Sequence, residues 1–223
     1  NNTNKGYSTS LTAQVQKSFS SNWEGFVAYT YTNSKDINIG TSDRASSSWS
    51  TNNIVANPNN PELGYSNFAV PHRIVVSGSY RFSYANNNLA TTVGLYYSGS
   101  SQERYHFRYG SDINGDAQTN DMIYIPASPS DITFVEGFKV GNNTYTAQQQ
   151  SEAFFKFVEN NSYLKENKGK YVERYGALLP WVNNMDLRVL QDFSFDALSR
   201  KHTFQFSVDV VNFLNLLNNS WGT

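Results

Sequence analysis

The sequence predicts an all-β fold: an antiparallel transmembrane β-barrel segment of about six long strands with two long loops. Three observations lead there. Six segments alternate apolar with polar residues at the two-residue period of a strand. They run about 9 to 14 residues, where a soluble strand usually has about 5 or 6 and a tilted membrane strand needs about 9 to 11. Their connections alternate short with long, like the brief periplasmic turns and extended extracellular loops of outer-membrane barrels.

The first segment, GYSTSLTAQVQKSF, sets Tyr7, Thr9, Leu11, Ala13 and Val15 against Ser8, Ser10, Thr12, Gln14 and Gln16. In WEGFVAYTYT the row Trp23, Gly25, Val27, Tyr29, Tyr31 opposes Glu24, Phe26, Ala28, Thr30, Thr32. HRIVVSGSYRFSY places Ile74, Val76, Gly78, Tyr80 and Phe82 on one parity, with Arg73, Val75, Ser77, Ser79, Arg81 and Ser83 on the other. NLATTVGLYYSG contributes Leu89, Thr91, Val93, Leu95 and Tyr97, and MDLRVLQDFSF contributes Met185, Leu187, Val189, Phe193 and Phe195. The sixth, KHTFQFSVDVVNF, sets Phe204, Phe206, Val208 and Val210 against Thr203, Gln205, Ser207 and Asp209.

SFSSNW (18–23), SYANNNL (83–89) and FDALSRKH (195–202) are short and turn-like, rich in Asn, Ser and Ala. Between them lie two long loops, about 33–71 and 99–181, larger than a compact soluble domain tolerates without structure of their own. Aromatics crowd the strand ends at Phe19, Trp23, Phe82, Tyr84, Phe193 and Phe195, as interfacial girdles require. The face of Ile74, Val76, Tyr80 and Phe82 is therefore expected to meet lipid. Arg73, Arg81, Asp186, Arg188 and Asp209 are expected to face a hydrated lumen, Asp186 and Arg188 as an ion pair on one strand. A soluble β-sandwich, with the apolar rows as its core, is the competing architecture.

Composition agrees with a barrel without requiring one. Of 223 residues, 15% are aromatic and only 16% charged, against about 25% charged in ordinary soluble domains, so the polarity comes from neutral Ser, Thr and Asn. A net charge of −1 offers no electrostatic reason for a nucleic-acid partner. The absence of cysteine excludes disulfides and thiolate metal sites. No apolar run approaches the roughly 18 residues of a spanning helix, but a barrel hides its lipid face in alternate residues, so the mean hydropathy of −0.55 is compatible with one. The opening NNTNKGYSTS has neither signal peptide nor initiating Met, and the chain reads as a fragment of something longer.

Few motifs carry chemistry. In DINGDAQTND, Asp112, Asn114 and Asp116 fall at positions 1, 3 and 5 of a calcium loop, with Asp121 as a further oxygen ligand, so Ca²⁺ is the candidate cation. Ala117 stands where such loops need Gly, and Ile123 where they need a bidentate Glu, so an Asx-rich turn is the alternative. His72, His106 and His202 are too dispersed for zinc and read as interfacial polar anchors. No catalytic residue is expected, because GxSxG, HExxH and phosphate-binding loops are all missing. Trp49, Tyr65 and Phe68 in the first loop and Tyr105, Phe107, Tyr109 and Tyr124 in the second could contact ligand or simply pack the loops. Helical spacing occurs at 153–176, with Phe154, Phe157, Val158 and Tyr163 on one side, and predicts a short helix capping the mouth.

VPHRIVVSGSYRF, DINGDAQTNDMIYIP, PWVNNMDLRVLQDF and VDVVNFLNLLNNSWG together resemble the C-terminal barrel region of Bacteroidetes TonB-dependent outer-membrane receptors, most closely the Oar-like branch, with Sus-type transporters as relatives. The resemblance runs from about residue 6 to the end. It implies a 22-stranded barrel enclosing a plug, a TonB-type energy transducer as partner, a surface lipoprotein as in the Sus-type relatives, and residence in the bacterial outer membrane. It also implies that the plug precedes Asn1 and that one or two strands follow Thr223. The expected role is the barrel wall and extracellular mouth of a transporter importing a nutrient such as a glycan, peptide or chelate. A passive porin or surface adhesin barrel is one alternative, a soluble ligand-binding β-sandwich another.

Overall fold

A computed structural model describes residues 4–40, 42–55, 57–219 and 221. Six long antiparallel strands dominate it: β1 Tyr7–Ser20, β2 Trp23–Asp36, β3 His72–Tyr84, β4 Leu89–Ser100, β5 Val182–Ala197 and β6 Arg200–Val210. They pair in chain order, each with the next, and Gly64–Tyr65 adds a short seventh strand on the far end of β2. The sheet is open. Among the described residues β1 and β6 each pair on one side only, and no closed barrel is formed.

Left-handed turn residues close the three hairpins, and the last of them sets the register of its two strands. Ser21 and Asn22 connect β1 to β2, and Leu198 and Ser199 connect β5 to β6, all four with φ between 51° and 69°. Two successive left-handed residues give the type I′ hairpin, whose twist matches that of the strands it joins. Ala85, Asn86 and Asn87 are also left-handed, and the Asn88 N–H closes the β3–β4 turn on the Ala85 carbonyl at 3.0 Å.

The chain divides into two compact units. One comprises 8–33, 69–103 and 179–223 and holds nearly all of the long strands. The last strand is shorter than its apolar pattern suggests. It stops at Val210, because Asn212 turns left-handed (φ 53°) and donates its N–H to Asp186 Oδ1 at 2.8 Å before a short helix, Phe213–Leu217.

The other unit comprises 1–7, 34–68 and 104–178, so the two expected loops are folded and carry a core of their own. Met122, Ile125, Val158, Leu164 and Val172 are fully buried, with Val55, Phe107, Ile123, Phe154 and Tyr163 packed around them. The helix expected within 153–176 begins earlier, at Ala147, and ends at Asn160, with a second helix at Ser162–Glu166. Thr146 and Gln149 form a reciprocal capping box at the start of the first helix. Asn161 closes that helix, and its side chain accepts the Leu164 N–H at 3.0 Å to open the second. Short ladders pair Lys170–Tyr171 with Tyr124–Ile125, Ala177–Leu178 with Arg104–Tyr105, and Phe138–Val140 with Asn143–Tyr145. Buried Arg174 binds the Asp36 carboxylate at 2.8 Å; a Cβ on Gly64 would lie 2.8 Å from Arg174 Cβ, so only glycine fits there.

Leu164→Ala should cost about 2–5 kcal/mol, because it opens a cavity in this core. Leu217→Ala, on an exposed side chain, should cost less than about 0.5 kcal/mol. Denaturant unfolding followed by amide exchange of 147–166 measures the first effect directly.

Candidate functional site: a two-faced sheet

Following the ladder across the sheet shows which side chains share a face, because directly paired residues project the same way. Trp23 pairs with Tyr80, Tyr80 with Val93, Val93 with Val189 and Val189 with Val208. Val27, Val76, Tyr97 and Met185 form a parallel row, as do Gly25, Gly78, Leu95, Leu187 and Val210. Hydroxyl contacts Ser10–Thr32 (3.2 Å) and Thr12–Thr30 (2.9 Å) put the polar rows of β1 and β2 together, leaving Leu11 and Val15 with the apolar side. All six apolar rows lie on one face.

Among the described residues nothing covers that face. Leu11 is 70% exposed, Val15 78%, Phe204 66% and Phe206 65%, values a sandwich core could not have. The polar residues within it satisfy one another: Gln191 Oε1 accepts from Thr91 Oγ1 at 2.6 Å and from the Tyr84 hydroxyl at 3.1 Å. Aromatic groups mark both ends. At the long-loop end Tyr29 OH meets His72 Nδ1 at 2.8 Å, while Tyr97 OH and Trp181 Nε1 donate to Asn183 Oδ1 at 2.7 and 3.0 Å. At the short-turn end Tyr80 packs on Phe82, and Phe195 stacks between His202 and Phe204. From His72 to Tyr84 the chain extends roughly 40 Å at about 3.3 Å per residue; at a tilt of about 45° that is roughly 28 Å along the normal, close to a hydrocarbon thickness of about 30 Å.

The opposite face carries the carboxylates and most of the basic side chains. Glu24, Asp186, Asp192, Asp196 and Asp209 all project from it, with Arg73, Arg81, Arg188 and Lys201. Arg81 bonds Asp192 at 2.6 Å, and Gln205 supplies a second donor to that carboxylate at 2.8 Å. Arg188 makes a bidentate contact with Asp209, its direct partner across the hairpin, at 2.5 and 3.2 Å. The expected Asp186–Arg188 pair is thereby replaced: neighbours two apart on a strand are farther from one another than partners across it, and Asp186 instead holds the Asn212 N–H. Arg73 is exposed, paired in the ladder with Thr30 and Ser100.

In the loop unit, the 112–121 segment is closed by its own side chains. Asp112 accepts N–H groups of Gly115 (2.7 Å), Asp116 (3.2 Å) and Ala117 (2.8 Å). Asn114 accepts that of Asp116, Asp116 that of Gln118, and buried Asp121 that of Ile113. Among the described residues no group of three or more carboxylates and imidazoles is arranged to hold a metal ion, so the oxygen set suggested by the spacing is not assembled, and the side chains present build an Asx turn.

The aromatic ligand candidates are engaged in loop packing. Tyr65 lies between Lys35 and the Arg104 guanidinium, at 4.1 and 3.8 Å from its ring centre. Tyr105 packs edge-on against Phe107 and accepts from Asn161 Nδ2 at 3.3 Å, and the Tyr109 hydroxyl accepts the Tyr124 N–H at 3.4 Å. Trp49 sits half-buried on the helix Ala45–Thr51, and Phe68 is exposed. The three histidines are in separate places: His72 and His202 at opposite ends of the sheet's apolar face, His106 in the loop unit against Tyr175. Comparisons with protein-family models, with curated proteins and with solved structures return no match.

Burial, with Arg108 and Arg174 nearby, lowers the His106 pKa to about 4. The unfolded imidazole takes a proton near pH 6.5, so His106 contributes stability above that pH and loses it as pH falls from about 6.5 to about 4. An NMR titration should find the His106 ring neutral at pH 5. Calcium added at millimolar concentration should leave the unfolding midpoint unchanged, and a rise would show that Asp112, Asn114, Asp116 and Asp121 rearrange around the ion.

Proposed function

We propose that this chain forms part of the wall and extracellular mouth of a TonB-dependent transporter barrel in a bacterial outer membrane, importing a nutrient such as a glycan, peptide or chelate. One observation carries the membrane part of this reading: a continuous, uncovered apolar face crosses six strands while every carboxylate of 8–33, 72–100 and 182–210 lies on the other face. In water such an area would be a severe aggregation liability. Against lipid it is the expected outer surface, and the ion-paired face becomes a hydrated interior.

The transporter part rests on the resemblance of the sequence to Oar-like and Sus-type receptors and on the folded loop unit. Loops with a buried core suit a mouth that must hold a defined shape against a ligand. In this reading the rest of the receptor supplies the remaining strands and the plug, a TonB-type transducer supplies energy, and a surface lipoprotein is a candidate partner. The chain itself contributes wall and mouth, with no covalent chemistry. A passive porin or an adhesin would share the wall and lack the plug. The uncovered face counts against the soluble β-sandwich, which needs a second layer there.

Val76→Arg, near the middle of the apolar face, should cost about 2–4 kcal/mol of folding free energy in lipid vesicles, and Ser77→Arg much less. Heat-modifiable gel migration reads the difference, and equal effects would assign the faces wrongly. Epitope tags at Asn59 and Asn142 should be labelled on intact cells, while a tag at Asn87, in the β3–β4 turn, should need permeabilised cells.

A further inference from the structure

The apolar face is not flat. A trough of about 980 Å³ runs across the strands, floored by Gly25 and Gly78 and walled by Trp23, Tyr80, Val76 and Met185. The two glycines are direct cross-strand partners, so adjacent side chains are missing from the wall at one level. From β1 to β5 the trough crosses roughly 19 Å, at about 4.8 Å per strand spacing, the reach of an extended fatty acyl chain.

One end of the trough is different. Lys17 lines it on β1, at the short-turn end, with its ammonium 4.0 Å from the centre of the Trp23 ring. Its donors reach Ser20 O (2.7 Å), Ser20 Oγ (2.8 Å) and Trp23 O (3.0 Å), which hold the charge in place without neutralising it. Among the described residues no carboxylate forms an ion pair with Lys17, and the nearest strand carboxylate in sequence, Glu24, projects from the opposite face. A fixed cation at the rim of an apolar trough is complementary to an amphiphile with an anionic head.

We infer that this trough binds one anionic phospholipid, its phosphate against Lys17 and one acyl chain over Gly25 and Gly78. The inference rests on the membrane-wall reading above, which places the short turns at the periplasmic leaflet, where phospholipids are the available amphiphiles. The phosphate supplies the counter-charge that the apolar face lacks, displacing the Ser20 hydroxyl from the ammonium. The acyl chain fills the notch left by the glycines, where a bilayer would otherwise have to deform around a rough wall. Arg200, at the β5–β6 turn, lies outside the trough and serves as a control cation.

The test folds the full receptor that carries this chain into phosphatidylcholine vesicles containing phosphatidylglycerol, extracts it in mild detergent and counts retained lipid by native mass spectrometry. The wild type should retain phosphatidylglycerol in preference to phosphatidylcholine. Lys17→Gln should lower that retention at least tenfold. Gly78→Leu should do the same by filling the trough, and the backbone tolerates it, because a Cβ on Gly78 has its nearest neighbour at 3.7 Å. Arg200→Gln should leave retention unchanged. Unchanged retention in Lys17→Gln or Gly78→Leu, or equal retention of both lipids by the wild type, overturns the lipid site while the membrane wall stands, provided the receptor floats with the vesicles. A wild-type receptor that fails to float overturns both.

Discussion

The in-register antiparallel ladder is the constraint on which everything else depends. Side chains alternate faces with a period of two, so a slip of one residue in any strand would move its apolar row onto the charged face. The type I′ turn at Leu198–Ser199 prevents such a slip in the last hairpin, whose pairs run from Ala197–Arg200 to Leu187–Val210. With the register held, Trp23, Tyr80, Val93, Val189 and Val208 align across five strands, and Arg188 falls opposite Asp209. The two faces are consequences of pairing and turn geometry rather than of any single favourable contact.

Each face solves a different solvation problem. Thr91, Gln191 and Tyr84 on the apolar side bond to one another, which would lower the cost of these polar atoms in the proposed lipid contact. On the polar side Arg81, Asp192 and Gln205 form a three-residue contact, and Arg188 with Asp209 a second. The exposed Arg188–Asp209 pair adds little stability by itself, while Arg81 and Gln205 compensate the buried Asp192 carboxylate. The value of both contacts is to keep a densely charged, hydrated face free of uncompensated repulsion. The loop unit follows the opposite logic and hides Met122, Ile125, Val158, Leu164 and Val172 from any solvent.

Much of this was legible in the residues. The six alternating rows and the three short turns mark the strands because period-two patterning and turn residues are local properties. β3, His72–Tyr84, coincides with its segment from end to end. The Arg188–Asp209 pair was within reach too: counting outward from a two-residue turn at Leu198–Ser199 brings them opposite each other. The helix start was signalled by Thr146 and Gln149, a capping box lying upstream of the apolar spacing that drew the prediction to residue 153. The loop core was not legible, since Met122, Val158 and Val172 come from stretches without common periodicity and meet only through tertiary folding. The 112–121 spacing was ambiguous for a physical reason: Asp and Asn at alternate positions suit a cation and an Asx turn equally, and only the direction of their oxygens separates the two.

The proposed lipid contact of the apolar face is tested most directly by spin labels placed one at a time from Arg73 to Phe82 in lipid vesicles, with collision rates measured against oxygen and a water-soluble nickel chelate. Even positions such as Ile74, Val76 and Tyr80 should collide with oxygen, and odd positions such as Arg73, Ser77 and Arg81 with nickel, in strict alternation. Nickel access at both parities would place the sheet in water, and oxygen access at the odd positions would reverse the faces.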